Sequence, residues 1–258
     1  MKNTSRRKAW LIKLSPFLAT VIINFFIVQS FYGQNSQNMQ QKHLNPPFIA
    51  RTSNFMVLAF HLDPAQAQKL LPDGIIAKHN ENGLVNGGLE IYKTDQAYGI
   101  MNYTIAFFTL EVKAEESNFG KEGNWAVWGA IDNQASLATF KYFYNFSYQH
   151  VSNISLESDS TIFTAKVGAD GAEGLELTLE KNTAQPVKAE GLATILSKSA
   201  ESNLISIEIP WLAEGHQAEP VSFKINAGNS NALKILQEAK PYYAQVSSNV
   251  FSYSKPSN

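Results

Sequence analysis

Residues 100–112 read IMNYTIAFFTLEV, a run of aromatic and β-branched residues interrupted by a single acid. Such a composition suits a strand. Runs of the same character recur at FMVLAFHL (55–62), GGLEIYK (87–93) and GNWAVWGAID (123–132). Further strand-like segments follow at 147–156, 161–167, 174–180, 203–209, 220–226 and 242–254. Little helix separates them. DPAQAQKLL (63–71) predicts a short helix, with Asp63 as N-cap, Pro64 at the first helical position and Pro72 as a stop. NQASLATFKYFY (133–144) and NSNALKILQEA (229–239) predict two more. Parallel strands need a crossover of a dozen or more residues at every step, and so few helices cannot supply them. The expectation is therefore a mainly β (α+β) fold, with antiparallel, barrel-like sheets and a few short helices.

With 258 residues, 44% hydrophobic and 17% charged, the chain has enough apolar material for a full core. It has no cysteine, so that core must hold the fold without disulfides, and no lipid can be attached to a signal-peptide cysteine. A formal net charge of −1 gives no reason to expect a nucleic-acid or anionic-membrane partner. The five histidines are scattered, so neither a metal site nor a metal cofactor is expected. Glycine-rich phosphate loops, a Gly-x-Ser-x-Gly elbow and Walker-type motifs are missing, and no other cofactor is suggested.

The first 33 residues have a basic head (Lys2, Arg6, Arg7, Lys8) followed by the apolar run LSPFLATVIINFFIV and a polar exit. Such an order fits an export signal, or an uncleaved N-terminal anchor, better than a membrane-spanning helix. Pro16 and Asn24 also weaken a continuous span. Residues 34–50, rich in Gln and Asn, read as a polar linker, with structure beginning near Phe48. The domain is assigned to residues 51–258, in a periplasmic or secreted location, with membrane contact only through an uncleaved N-terminus. Oligomeric state is left open.

Four ordered segments carry a resemblance to a known family. They are FMVLAFHLDPAQAQKLLPDGI, GGLEIY with its Glu90, MNYTIAFFTLEV, and GNWAVWGAIDNQASLATFKYFYNFSYQH. In order and spacing they resemble the acetoacetate decarboxylase superfamily over residues 51–156, and the rest follows by pattern only. The resemblance implies a barrel-like β fold enclosing a small-molecule pocket. It also implies a lysine that forms a Schiff base with a β-keto acid, its neutral amine supplied by burial and a neighbouring cation.

This chain departs from that pattern where the chemistry resides. Where the family has Pro-Lys-Lys, this sequence reads Ser147-Tyr148-Gln149, so a phenol takes the place of the reactive amine. Gly-Arg-Glu becomes Phe140-Lys141-Tyr142, the Glu of Tyr-Thr-Glu becomes Ile105, and the expected arginine position holds Ser53, with Arg51 two residues away. Glu90 remains at the pocket carboxylate. Alternation places Lys166 and Lys224 on strand faces opposite their apolar neighbours, and Lys141 lies on a helix.

If 144–153 is one strand, Phe146, Tyr148 and His150 share a face. The expected catalytic candidates are then Tyr148, His150 and Glu90, with Phe146, Gln149, Ile105, Arg51 and Trp128 as ligand contacts. Trp125 and Trp128 are expected on opposite faces of their strand. Two functions follow from these residues. One is noncovalent binding of a small, partly apolar carbonyl compound or organic acid, without Schiff-base decarboxylation. The other is a lyase using Tyr148, His150 and Glu90, by decarboxylase-like or proton-transfer chemistry on a keto acid, because an imidazole near neutrality can serve as a general base.

Overall fold

The computed structural model describes residues 44–115, 120–168 and 172–257. The expected export segment and most of the linker lie outside these residues. The first strand, β1 (Phe48–Leu62), begins three residues before the expected domain boundary, because Phe48 pairs with Tyr253 and is fully buried.

Eleven more strands follow among the described residues. β2 (Ile75–Ala77), β3 (Val85–Lys93), β4 (Gln96–Tyr98), β5 (Thr104–Ala114) and β6 (Glu122–Ile131) make up the first half. β7 (Gln149–His150), β8 (Ile154–Ser158), β9 (Ile162–Val167), β10 (Gly174–Lys198), β11 (Leu204–Asn226) and β12 (Lys240–Tyr253) make up the second. They form one sheet in the order β7-β6-β5-β3-β1-β12-β11-β10-β9-β8, with β2 on β5 and β4 on β1. A parallel contact between Asn124 of β6 and Ile195 of β10 brings the path round into a partial ring. The only other parallel pairing among these strands is β6 with β7, so the expected antiparallel architecture is mixed at this one edge.

Each central strand is buried on both faces. Phe55, Tyr92 and Phe107 fall in one apolar cluster, while their chain neighbours Met56, Ile91 and Phe108 fall in the other. This explains the near-continuous apolar reading of β5. Among the described residues, three short helices cover the clusters. α1 (Pro64–Gln68) and α3 (Asn231–Glu238) contribute Ala67, Leu233 and Leu236 to the first cluster; α2 (Gln134–Tyr144) contributes Leu137, Phe140 and Tyr144 to the second. Their starts follow from capping: Asp63, Asn133 and Ser230 each accept a backbone N–H from the first turn. Each fully buried Phe, such as Phe60, Phe108 or Phe140, contributes roughly 1.5–3 kcal/mol relative to exposure.

The structure corrects the sequence reading in three places. Segment 147–156 is not one strand but β7 and β8, separated at residues 151–153. Segments 174–180, 203–209 and 220–226 belong to a single hairpin, β10–β11, much longer than the sequence suggested. Its prolines are tolerated for local reasons. Pro186 and Pro220 sit at register shifts, and Pro210 lies one residue beyond the stretch of β11 that pairs with β12. Finally, Trp125 and Trp128 do not face opposite ways. Trp125 pairs with Leu110 and Trp128 with Phe108, and the bulge between them adds the extra residue that brings both indoles to the first cluster.

Candidate functional site

One rung of the sheet sets up the site. Gln245, Val57, Glu90 and Phe107 stand directly opposite one another across β12, β1, β3 and β5, so their side chains share a face. The next residue on this rung is Gly129 of β6. The ring of Tyr148 lies over it: a Cβ at Gly129 would come within 2.2 Å of Tyr148 Cδ1. The missing side chain is what seats the phenol.

The rung borders a cavity of about 290 Å³. Phe55 and Tyr92 add stacked rings, with centroids 4.9 Å apart, from the neighbouring rung. Asn249, Phe251 and Tyr253 line it from β12, and the far half of the long hairpin supplies Ala193, Ile195, Ile209 and Trp211. Asn249 is already engaged, accepting from Ser247 Oγ at 2.7 Å. Among the described residues no lysine, arginine or histidine lines this cavity.

Glu90 is its one acid. The side chain is partly buried and faces the cavity. Desolvation alone raises its carboxyl from 4.5 to about 7. No opposite charge or donated hydrogen bond offsets that cost. The phenols are pushed upward as well. Burial, with Tyr253 and Glu90 nearby, raises Tyr148 well above its ordinary value, so it remains a neutral hydroxyl. Tyr92 bonds to Tyr253 at 2.8 Å and to Tyr103 at 3.3 Å, and burial pushes Tyr253 up to about 12.

Of the residues expected from the sequence, Tyr148 and Glu90 reach the cavity together. Phe146 and Ile105 are buried in the second cluster and do not line it; the Phe146 ring stands 5.0 Å from that of Tyr148. The other four expected residues also lie away from the cavity. His150 is exposed and its Nε2 lies 3.0 Å from the Asp132 carbonyl. Alternation holds only along an extended run, and the run here is two residues at the sheet edge. Gln149 is exposed on the same edge strand. Arg51 points away from the core, on an exposed position of β1. Trp128 packs in the first cluster, on the other face of the sheet from the cavity.

Among the described residues, none of the three lysines considered from the sequence lines the cavity. Lys141 is exposed on α2, Lys166 pairs with Glu176 at 3.1 Å, and Lys224 sits opposite Glu176 across the β10–β11 ladder. Sequence reading missed Tyr92, Tyr253 and Trp211. Alternation with Glu90 marked Tyr92, and alternation within the aromatic tail of β12 marked Tyr253. Trp211 gave no comparable signal, because PWLAEGHQAEP carries too little apolar pattern to read as strand.

No family model and no curated protein matches this chain. Solved structures do. The acetoacetate decarboxylase of Legionella pneumophila superposes with a TM-score of 0.63 at 13% identity, covering 87% of this chain and 94% of that one. An acetoacetate decarboxylase-like enzyme from Sphingomonas wittichii gives 0.60 at 12%, covering 86% and 96%. The enduracididine biosynthesis enzyme MppR, complexed with pyruvate, gives 0.55 at 12%, covering 86% and 91%. Identities this low speak to architecture, and fold does not dictate chemistry. The described sheet and its helices have the acetoacetate decarboxylase-like fold.

Proposed function

We propose that this cavity holds a small, partly apolar, non-anionic metabolite by noncovalent contacts and forms no Schiff base. The observation that carries this reading is Tyr148 seated on Gly129 beside Glu90, in a lining without any amine. A phenol cannot form an iminium, so the electron sink required for β-keto acid decarboxylation is missing. Of the two ligand classes expected from the sequence, an organic acid in its anionic form meets a carboxyl group and no counter-charge. A carbonyl can accept a hydrogen bond from Tyr148, whose hydroxyl stays protonated. The lyase alternative loses its imidazole, since His150 is directed at the Asp132 carbonyl. Incubation with acetoacetate and borohydride, followed by intact-mass and peptide mass spectrometry, is expected to leave every lysine unmodified. A reduced adduct on any lysine refutes the noncovalent reading.

We infer further that the domain works outside the cytoplasm. Support comes from the basic head and the apolar run of about 15 residues ahead of the polar linker. No helix among the described residues is long and apolar enough to cross a membrane. Fractionation of cells making the tagged full chain is expected to place it in the periplasm or medium, or tethered at the membrane. Recovery solely from the cytosol argues against export.

A further inference from the structure

The cavity combines three features that select a ligand by charge. Seven aromatic side chains line it, among them Phe55, Phe107, Tyr148 and Trp211. One carboxyl group, Glu90, stands among them without a partner, and no cationic side chain is present in the lining. We propose that the cavity takes a small aliphatic ammonium ion, with the cationic nitrogen beside Glu90 and the apolar body against the aromatic walls. This inference rests on the noncovalent reading above and assigns the charge of the ligand.

The physical case is one of pre-organisation. An ion pair in a protein interior usually gains little, because both partners must be stripped of water. Here the fold already holds the carboxyl among aromatic side chains without a counter-charge, where it has lost part of its hydration. A bound ammonium therefore meets its counter-charge at the cost of its own desolvation alone. Aromatic rings offset part of that cost through their quadrupoles. A neutral guest gains at most an ordinary hydrogen bond at the same place, and an anion is repelled. At ~30 Å³ per water-sized group, the cavity has room for about ten non-hydrogen atoms.

The titratable groups facing Glu90 are Tyr92 on its own strand, Tyr148, and Tyr253 of β12; the lining residues of β1, β5, β10 and β11 carry none. All three phenols stay neutral below pH 9. An aliphatic ammonium stays charged over the same range. Glu90 is thus the one group whose titration changes the site between pH 6 and 8.

Isothermal titration of the full chain with 3-methylbutylammonium, 3-methylbutanol and 3-methylbutanoate tests the proposal, since the three share one carbon skeleton. The cation is expected to bind at least tenfold tighter than the alcohol at pH 8, and about tenfold weaker at pH 6 than at pH 8. That preference is expected to disappear in Glu90→Gln. Equal or tighter binding of the alcohol or the carboxylate overturns the ammonium assignment and leaves the noncovalent pocket standing. Failure of all three to bind overturns both.

Discussion

At pH 8 the Glu90→Gln variant is expected to be more stable than the unsubstituted chain, by up to roughly 3 kcal/mol. Glu90 lies near pKa 7 in the fold against 4.5 in an unstructured chain, with desolvation as the cause. Between those values the folded state binds more protons than the unfolded one, so stability falls as pH rises. The contribution is fully present below about pH 4.5 and is lost as the pH passes through 7. A shift of that size corresponds to roughly 3 kcal/mol at ~1.36 kcal/mol per unit. Glutamine keeps the shape and hydrogen-bonding groups but has no charge to desolvate. Urea-unfolding midpoints of the two proteins are expected to coincide near pH 4.5, to diverge up to about pH 7 and to level off by pH 8. Parallel curves across that range would show that water reaches the carboxyl and that the cavity does not isolate it. The same experiment bears on the ligand, because an ammonium bound at pH 8 restores the stability that ionisation removed.

A buried acid without a partner is a liability that a purely structural core has no reason to keep. Leucine or glutamine at position 90 would fill the rung without the pH penalty. That pH-dependent cost supports the proposed role of Glu90 in ligand binding. From the sequence, LEI at 89–91 is as compatible with a solvent-facing Glu as with a cavity-facing one, since alternation says only that Glu90 opposes Leu89 and Ile91. Both faces of β3 turn out to be covered, and that is a property of the partly ringed sheet rather than of the segment.

The same distinction explains what else was legible. Strands rich in aromatic and branched residues were readable from that composition: β1, β3, β5, β6 and β12 all stand near their expected positions, β5 with both faces buried. The N-caps of α1, α2 and α3 were also readable, since capping is local chemistry. The far half of the β10–β11 hairpin was not. Residues 181–193 are mostly exposed, polar and punctuated by proline and glycine, and they are held as strand by pairing with β11 rather than by their own pattern. That ribbon carries Ile195 and Trp211 to the cavity, so one wall of the site was invisible locally. The His150 error had a related origin. The register of the resemblance pointed Tyr148 inward, and it lines the cavity, but no sequence rule showed that the strand following it would run for only two residues.

Tyr148 itself depends on one glycine, and Gly129→Ala is expected to be the most damaging single methyl group in the site. The added Cβ would stand 2.2 Å from Cδ1, 2.6 Å from Cε1 and 3.0 Å from Cγ of Tyr148, well inside van der Waals contact. The tyrosine cannot simply retreat. Its ring packs against Phe146 at 5.0 Å, Phe107 at 6.0 Å and Phe140 at 6.2 Å, within a cluster that has no slack on that side. Overpacking of this kind costs about 1–3 kcal/mol, and here the loss falls at the upper end because ring atoms, not a flexible tip, are struck. The ring must therefore tilt into the cavity, reducing the volume left for a ligand, so binding is expected to weaken at least tenfold together with the loss of stability. A second substitution separates this from general damage to the fold. Tyr148→Ala removes the obstacle, so Gly129→Ala should cost far less in that background, with a coupling of about 2 kcal/mol in the double-mutant cycle. Equal costs in both backgrounds would mean that position 129 is a glycine for the strand's sake, and that the phenol is not seated by it.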